Sequence, residues 1–327
     1  MSKVIIHIML LFLVSCSFKP EAKGVENEIL VFVSPEDKPF CEPELGKLFS
    51  PYINTPQEEY EFKLIYKSPW QLEEFKHYSN LLILSLDFPG DSTGDFLMQK
   101  LLLSQKINLP VFNLENLYAN QQIVTGIHCV DGIALQKQIE KNGAWILSQY
   151  QNSFNNKMTK NVYKHGINEE LSTSVNQLLG YTLDFQPDFQ EIRRDSLNLF
   201  IWTGRGYPYR WLTLHKSNRE SYLNPDSAWI QLEADFRIRI PEITISQFFK
   251  KNGKVKLDKT SVPVIRGMYE HGESESGGPF FVYIFDTDSS DEVILVSGFV
   301  NYPGREKILL LKQLEIIAKT IHKKGNT

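Results

Sequence analysis

Val4 to Val14 form an apolar run, broken only by His7, behind a single positive residue, Lys3. As a helix, such a run spans about 16 Å at 1.5 Å per residue, roughly half of a bilayer's hydrocarbon core. It is too short to cross a membrane and has the layout of a secretory signal. It ends Leu13-Val14-Ser15-Cys16. Lipidation of an exported chain needs a thiol to receive the diacylglycerol, a small residue before it and an aliphatic pair before that. Residues 1–15 therefore read as a lipoprotein signal peptide and Cys16 as the lipidated residue. Ser17-Phe18-Lys19-Pro20-Glu21-Ala22-Lys23-Gly24 is polar and carries helix breakers, so residues 16–27 read as the lipidated cysteine and a polar tether. One acyl chain such as palmitate holds a protein weakly, and two or more hold it firmly. The expected address is the cell envelope, lipid-anchored at the outer membrane and facing the periplasm, with the membrane itself as the first partner.

Without the leader, about 312 of the 327 residues remain to fold, enough for one large domain or two ordinary ones. With 42% hydrophobic, 12% aromatic and 23% charged residues, the chain is globular and far from disorder. Against 39 Asp and Glu stand 35 Lys and Arg, a net charge of −4 that loses one more positive charge with Lys3. That balance gives no footprint for nucleic acid and no basic attraction to anionic headgroups. Beyond Cys16, the chain has Cys41 and Cys129. An exported protein can bridge them. The bridge would close a loop of roughly 90 residues, worth about 4 kcal/mol in the chain-entropy model. Two unpaired buried thiols fit equally well, and only geometry separates the readings.

Glu28 to Ser34 is a β-branched apolar run closed by Pro35, and Leu81 to Leu86 is a second solid run closed by Pro89-Gly90. Glu58 to Tyr66 alternates, with Tyr60, Phe62, Leu64 and Tyr66 on one side, and Gln122 to Val130 reads as another strand. From Ile133 to His165 the spacing is helical, with Gly143 expected to divide it into two helices. The second half is richer in strands. Leu197 to Thr203 and Tyr209 to His215 flank Gly204-Arg205-Gly206 as a hairpin. Val262 to Glu270 is a strand, and Pro279 to Asp286 and Glu292 to Val300 pair across the polar turn 287–291. Arg305 to Lys323 closes the chain as an amphipathic helix, with Leu310, Leu314, Ile317 and Ile321 expected inward and Lys312, Glu315 and Lys319 outward. The pattern predicts an α+β fold in two related mixed lobes, 28–165 and 166–327, with antiparallel or mixed sheets packed against helices.

Chemistry leaves little trace. Gly272-Glu273-Ser274-Glu275-Ser276 lacks the closing glycine of a nucleophile elbow and joins two strands. The seven histidines are scattered without metal-ligand spacing. Asp286-Thr287-Asp288-Ser289-Ser290-Asp291 puts Asp291 where a calcium loop needs glycine. No metal and no cofactor are expected, and the acidic clusters Glu58-Glu59-Glu61 and Glu273-Glu275 read as solvated. The ligand-binding candidates are Trp202, Tyr207, Tyr209, Arg210 and Trp211, aromatics that with an arginine can stack on a sugar or anchor a protein. The competing reading is a twisted hairpin whose aromatics fill the core.

Arg266-Gly267-Met268-Tyr269-Glu270, Gly277-Gly278-Pro279-Phe280-Phe281, Gly298-Phe299-Val300-Asn301-Tyr302-Pro303-Gly304 and the closing helix follow one another in an order that resembles an uncharacterised envelope lipoprotein family typical of Bacteroidetes, a domain of unknown function. Leu199-Phe200-Ile201-Trp202 with Tyr207-Pro208-Tyr209, and Asn113 to Gln121, echo it. Arg219-Glu220 departs from the Arg-Asp of that pattern, and 223–240 aligns poorly. The resemblance implies localisation and fold and brings no activity, cofactor or catalytic residue. The expectation is a non-enzymatic module that binds an envelope protein, glycan or lipid, or a purely structural assembly factor. The alternative is a hydrolase of a cell-envelope polymer whose carboxylate pair forms only in the fold.

Overall fold

A strand whose every residue is apolar is stable only when both of its faces are covered, and a strand that alternates needs cover on one. Both kinds occur here. In chain order the elements are β1 (Glu28–Phe32), α1 (Lys38–Leu48), β2 (Tyr52–Asn54), β3 (Glu58–Tyr60), β4 (Lys63–Lys67), α2 (Leu72–Phe75), β5 (Asn80–Leu86), α3 (Ser92–Gln105), β6 (Val111–Glu115), β7 (Ile123–Cys129), α4 (Gly132–Val162), α5 (Glu169–Leu179), β8 (Gln190–Asp195), β9 (Phe200–Arg205), β10 (Tyr209–Asn218), α6 (Pro225–Arg239), β11 (Ile243–Leu257), β12 (Thr260–His271), β13 (Ser276–Asp286), β14 (Glu292–Asn301) and α7 (Ile308–Ala318). The structure, a computed structural model, describes residues 19–90, 92–257, 260–272 and 276–323. The signal peptide, Cys16 and residues 273–275 lie outside the described residues. With 34% helix, 37% strand and mixed or antiparallel sheets, the fold is α+β. Among the described residues, no helix is long and apolar enough to cross a membrane.

The described residues divide into two units: 19–50 with Phe62–Phe154, and Pro51–Glu61 with 155–323. The division expected at 165/166 falls earlier, inside α4. Residues 51–61 also join the second unit, because Glu59 at the end of the β2–β3 hairpin accepts the backbone N–H of Lys307 and of Ile308, both at 2.7 Å. That carboxylate caps α7, whose own N-cap Lys307 makes no side-chain cap. The single strand expected over Glu58–Tyr66 is accordingly two, β3 in one unit and β4 in the other.

In the first unit the sheet order is β4-β1-β5-β7-β6, with β6 antiparallel to β7 and the other pairs parallel. Central β5 is buried at every position. Leu30, Phe32, Leu81 and Ile83 meet Met98 and Leu101 of α3 on one face. Within the same unit, Tyr150 of α4 is fully buried, donates to the carbonyl of Leu81 at 2.8 Å and meets Phe49 and Phe62 edge-on. Helix α4 runs unbroken through Gly143. A Cβ there would lie 3.1 Å from Leu48 Cδ1, so this glycine lets α4 pass close to the end of α1 rather than ending the helix. Residues 19–27, expected as a free tether, lie along this unit. The backbone N–H of Ala22 reaches Asn120 O at 3.0 Å, and that of Lys23 reaches His77 O at 2.8 Å.

The second unit is built on a seven-stranded sheet, β11-β12-β13-β14-β10-β9-β8, antiparallel throughout. The two sheets share no topology, so the relatedness expected of the lobes is confined to their class. β13 and β14 are buried along almost their whole length because helices cover both faces. One face carries Leu212, Leu214, Phe281, Tyr283, Ile294 and Val296 against α5 and α7. The other carries Trp202, Ile265, Phe280, Leu295 and Phe299 against Trp229, Leu232 and Phe236 of α6. The closing helix is shorter than expected and turned. Leu311 takes the fully buried place assigned to Leu310, and Glu315, expected outward, is 2% exposed.

Candidate functional site

The five nominated residues sit on β9, β10 and the turn between them but do not form one site. Alternation along β10 sends Tyr209 and Trp211 to the α6 face and Arg210 to the other, where its buried guanidinium donates to Gln313 of α7. Trp202 is buried, edge-on to Trp211 at 5.7 Å, with the Arg193 guanidinium 5.2 Å over its ring. Trp211 lies over Gly204, where a Cβ would come within 2.5 Å of its ring. Tyr209 stacks on Trp211 at 5.8 Å, and Tyr207 meets Tyr209 and Tyr302 edge-on. Only Tyr207 and Tyr209 keep substantial exposure, 62% and 43%. The core-filling reading accounts for Trp202, Trp211 and Arg210.

Cys41 and Cys129 are free, buried thiols rather than a bridge. Burial above all, then the carboxylate of Asp37, pushes the Cys41 thiol far up, and burial with Asp131 pushes Cys129 to about 11. Both stay protonated and unreactive at neutral pH.

On the α6 face, Asp235 accepts hydrogen bonds from Tyr222 Oη (2.7 Å), Ser217 Oγ (3.1 Å), Gln231 Nε2 (3.1 Å) and Arg239 Nη1 (2.8 Å), with His215 Nε2 at 3.3 Å. Burial alone would raise its pKa, but these donors outweigh it and hold the carboxyl well below its usual range. Burial lowers the pKa of His215 against the pull of Asp235, so the imidazole stays neutral. The carboxylate oxygens are saturated.

The α7 face is different. Glu315 pairs with Arg266 of β12 at 2.5 Å, and Lys312 and Lys319 lie 3.8 and 3.9 Å from its other oxygen. Lys312 also binds Glu61 at 2.9 Å. Burial would raise the Glu315 pKa, yet Arg266, Lys312 and Lys319 bring it down to about 2. Three cations thus surround two carboxylates. Arg266 and Lys312 line a cavity of about 470 Å³ whose apolar walls include Ile53, Val255 and Val264 and whose rim carries Lys251 and Lys254. Helical and strand spacing alone leave Lys312, Glu315 and the acidic run 58–61 solvated, so this cluster is not visible in that spacing. The readable signal is a Lys-x-x-Glu-x-x-x-Lys series on a strongly apolar helix, too charged for its setting unless paired.

A family model described as a domain of unknown function (DUF4837) matches residues 168–320, within the second unit. No curated protein matches the chain. Among solved structures, a crystal structure from Bacteroides thetaiotaomicron VPI-5482 at 1.50 Å resolution is similar at 11% identity over 45% of this chain and 46% of that one, with a TM-score of 0.28. The chain thus spans less than half of that protein. The crystal structure of Ara h 8.0201 is similar at 11% identity over 33% of this chain and 99% of that one, with a TM-score of 0.15. Over residues 168–320, which take in Arg266–Glu270, Gly277–Phe281 and Gly298–Gly304, the chain is similar to DUF4837, an uncharacterised family.

Proposed function

We propose that the chain is an envelope lipoprotein, held by lipid on Cys16 at the outer membrane and facing the periplasm, whose second unit is a non-enzymatic module that binds an amphiphile with an anionic head. The observation that carries the binding reading is a cation-rich cluster of which Arg266 and Lys312 line a cavity. Arg266, Lys312 and Lys319 outnumber Glu315 and Glu61, and a ligand phosphate or carboxylate would complete the balance. The apolar walls suit an attached hydrocarbon. The hydrolase alternative needs one carboxyl group held protonated near neutral pH as general acid. Glu315 is held at about 2 by its cations, the reverse of that requirement.

Calorimetry with octyl phosphate, inorganic phosphate and octyltrimethylammonium tests the ligand class. Octyl phosphate should bind most tightly and the cation not at all. Lys251→Glu with Lys254→Glu, both on the exposed rim, should weaken octyl phosphate binding at least tenfold. Equal affinity for the anionic and cationic amphiphiles would remove the reading. For the anchor, Cys16→Ser should abolish incorporation of a fatty-acid analogue and release the folded protein from membranes. A variant wholly retained in the membrane fraction would count against lipidation.

A further inference from the structure

The first unit holds a second constellation, at the end of its parallel strands. In sheets of this kind, ligands gather outside the carboxyl ends of the strands. Asp87 directly follows β5, His128 is the penultimate residue of β7 and Asp95 lies in the first turn of α3. His128 Nε2 is 2.9 Å from Asp87 Oδ1 and 3.8 Å from Asp95 Oδ1, and all three ligand atoms lie within 4.8 Å of one another. We propose that Asp87, Asp95 and His128 form a binding site for a divalent first-row transition ion.

Three observations carry this. The first is spacing. Donors bound about 2.1 Å from a common ion sit about 3.0 Å apart in octahedral and about 3.4 Å apart in tetrahedral geometry. The measured separations bracket those values, so small side-chain rotations complete the set. The second is charge. One carboxylate suffices to pair an imidazole, and a second aimed at the same nitrogen adds repulsion unless a cation lies among them. The third lies beneath the cluster. Ser85, the register partner of His128 and two residues before Asp87, is fully buried on the same sheet face, and its hydroxyl has no hydrogen-bond partner among the described residues. On that face it is an unused donor beside the cluster, the kind of outer group that supports metal ligands.

The donor set selects the ion. Two hard oxygens with one imidazole suit Zn²⁺ or Mn²⁺ better than the soft ions that thiolates hold. Side-chain exposures of 46% for Asp87, 40% for Asp95 and 21% for His128 leave one side of the ion open to water or an anionic group. Sequence spacing does not reveal the site because the ligands stand at 87, 95 and 128 on three elements.

The test uses the tag-free full chain in detergent. Calorimetry with Zn²⁺ should give one-to-one binding, weakened at least tenfold by Asp95→Asn and by His128→Gln with melting of the metal-free protein unchanged. Titration of the unaltered chain with Mn²⁺ should broaden the His128 ring signals before those of the other histidines, a readout that needs no variant. Absence of one-to-one binding, binding that survives both substitutions, or broadening that begins at another histidine would each overturn the proposal.

Discussion

The two faces of the seven-stranded sheet each bury one helix carboxylate, Asp235 on α6 and Glu315 on α7, and each holds its pKa below the usual range. The means differ. Around Asp235, one guanidinium, two hydroxyls, an amide and a neutral imidazole saturate the oxygens, and positive and negative charges cancel. Around Glu315 and Glu61 stand three cations with few neutral donors, beside a cavity. A buried charge saturated by dipoles has no use for a ligand, whereas a surplus cation beside open space does. The comparison thus separates a structural polar plug from the proposed binding site within one unit.

The strongest way to break the contrast is Glu315→Gln. It leaves Arg266 and Lys312 buried without their shared counter-charge and should destabilise the second unit by about 3–5 kcal/mol in chemical denaturation. Asp235→Asn should cost less, about 1.5–3 kcal/mol, because the amide oxygen still accepts from Tyr222 and Ser217 and Arg239 is partly exposed. If the two substitutions cost the same, the two faces are equivalent and no functional asymmetry separates them.

Acidity sharpens the same comparison. The folded pKa of His215 is lowered below 6.5, so as pH falls through that value the unfolded chain takes up a proton that the native one refuses. Stability from the α6 face is therefore full above about pH 6.5 and declines below it. His215 faces Asp235, Tyr222 and Arg239, and His215→Gln keeps a donor to Asp235 while removing this slope. Glu315 falls from 4.5 to about 2 on folding, so its contribution is full above about pH 4.5 and is lost between there and about pH 2. Denaturation curves from pH 8 to 3 should show two windows, the upper one absent in His215→Gln and the lower one reduced in Glu315→Gln. A single window unaffected by either substitution would show that these groups do not govern the acid response.

The sequence revealed what periodicity can carry. Solid apolar runs located β1 and β5, and order with turn chemistry located the β9–β10 and β13–β14 hairpins. Helix α6 was missed because Ile230 and Ile238 are exposed apolar residues on the side away from Trp229, Leu232 and Phe236, which blurs the stripe a helix normally shows. Strand β11 was missed because its second half, Lys250-Lys251-Asn252-Gly253-Lys254, is polar and exposed at a sheet edge. The candidate site was illegible for a different reason. Helical spacing assigns each charged residue to the outside by default, and only a partner over 200 positions away, Glu61 for Lys312, makes the inside affordable. Lys312→Asp, harmless on the amphipathic reading, instead sets a third carboxylate between Glu61 and Glu315 and should be severely destabilising.

The smallest expected effect is also the most discriminating. Lys319 lies 3.9 Å from Glu315, and burial, opposed by Glu315, lowers its pKa. Its side chain is 30% exposed, and Arg266 and Lys312 already hold the carboxylate, so Lys319→Gln should change stability by less than about 1 kcal/mol. The substitution brings the cluster from three cations against two carboxylates to an even balance. If the surplus charge is what attracts an anionic head, octyl phosphate affinity should fall while melting stays nearly constant. That split is not expected of a residue whose role is only to hold α7 in place, since losing such a residue would lower stability first and binding with it. Unchanged affinity in Lys319→Gln would mean that the surplus charge is incidental, and the α7 cluster would then join the Asp235 network as a structural plug.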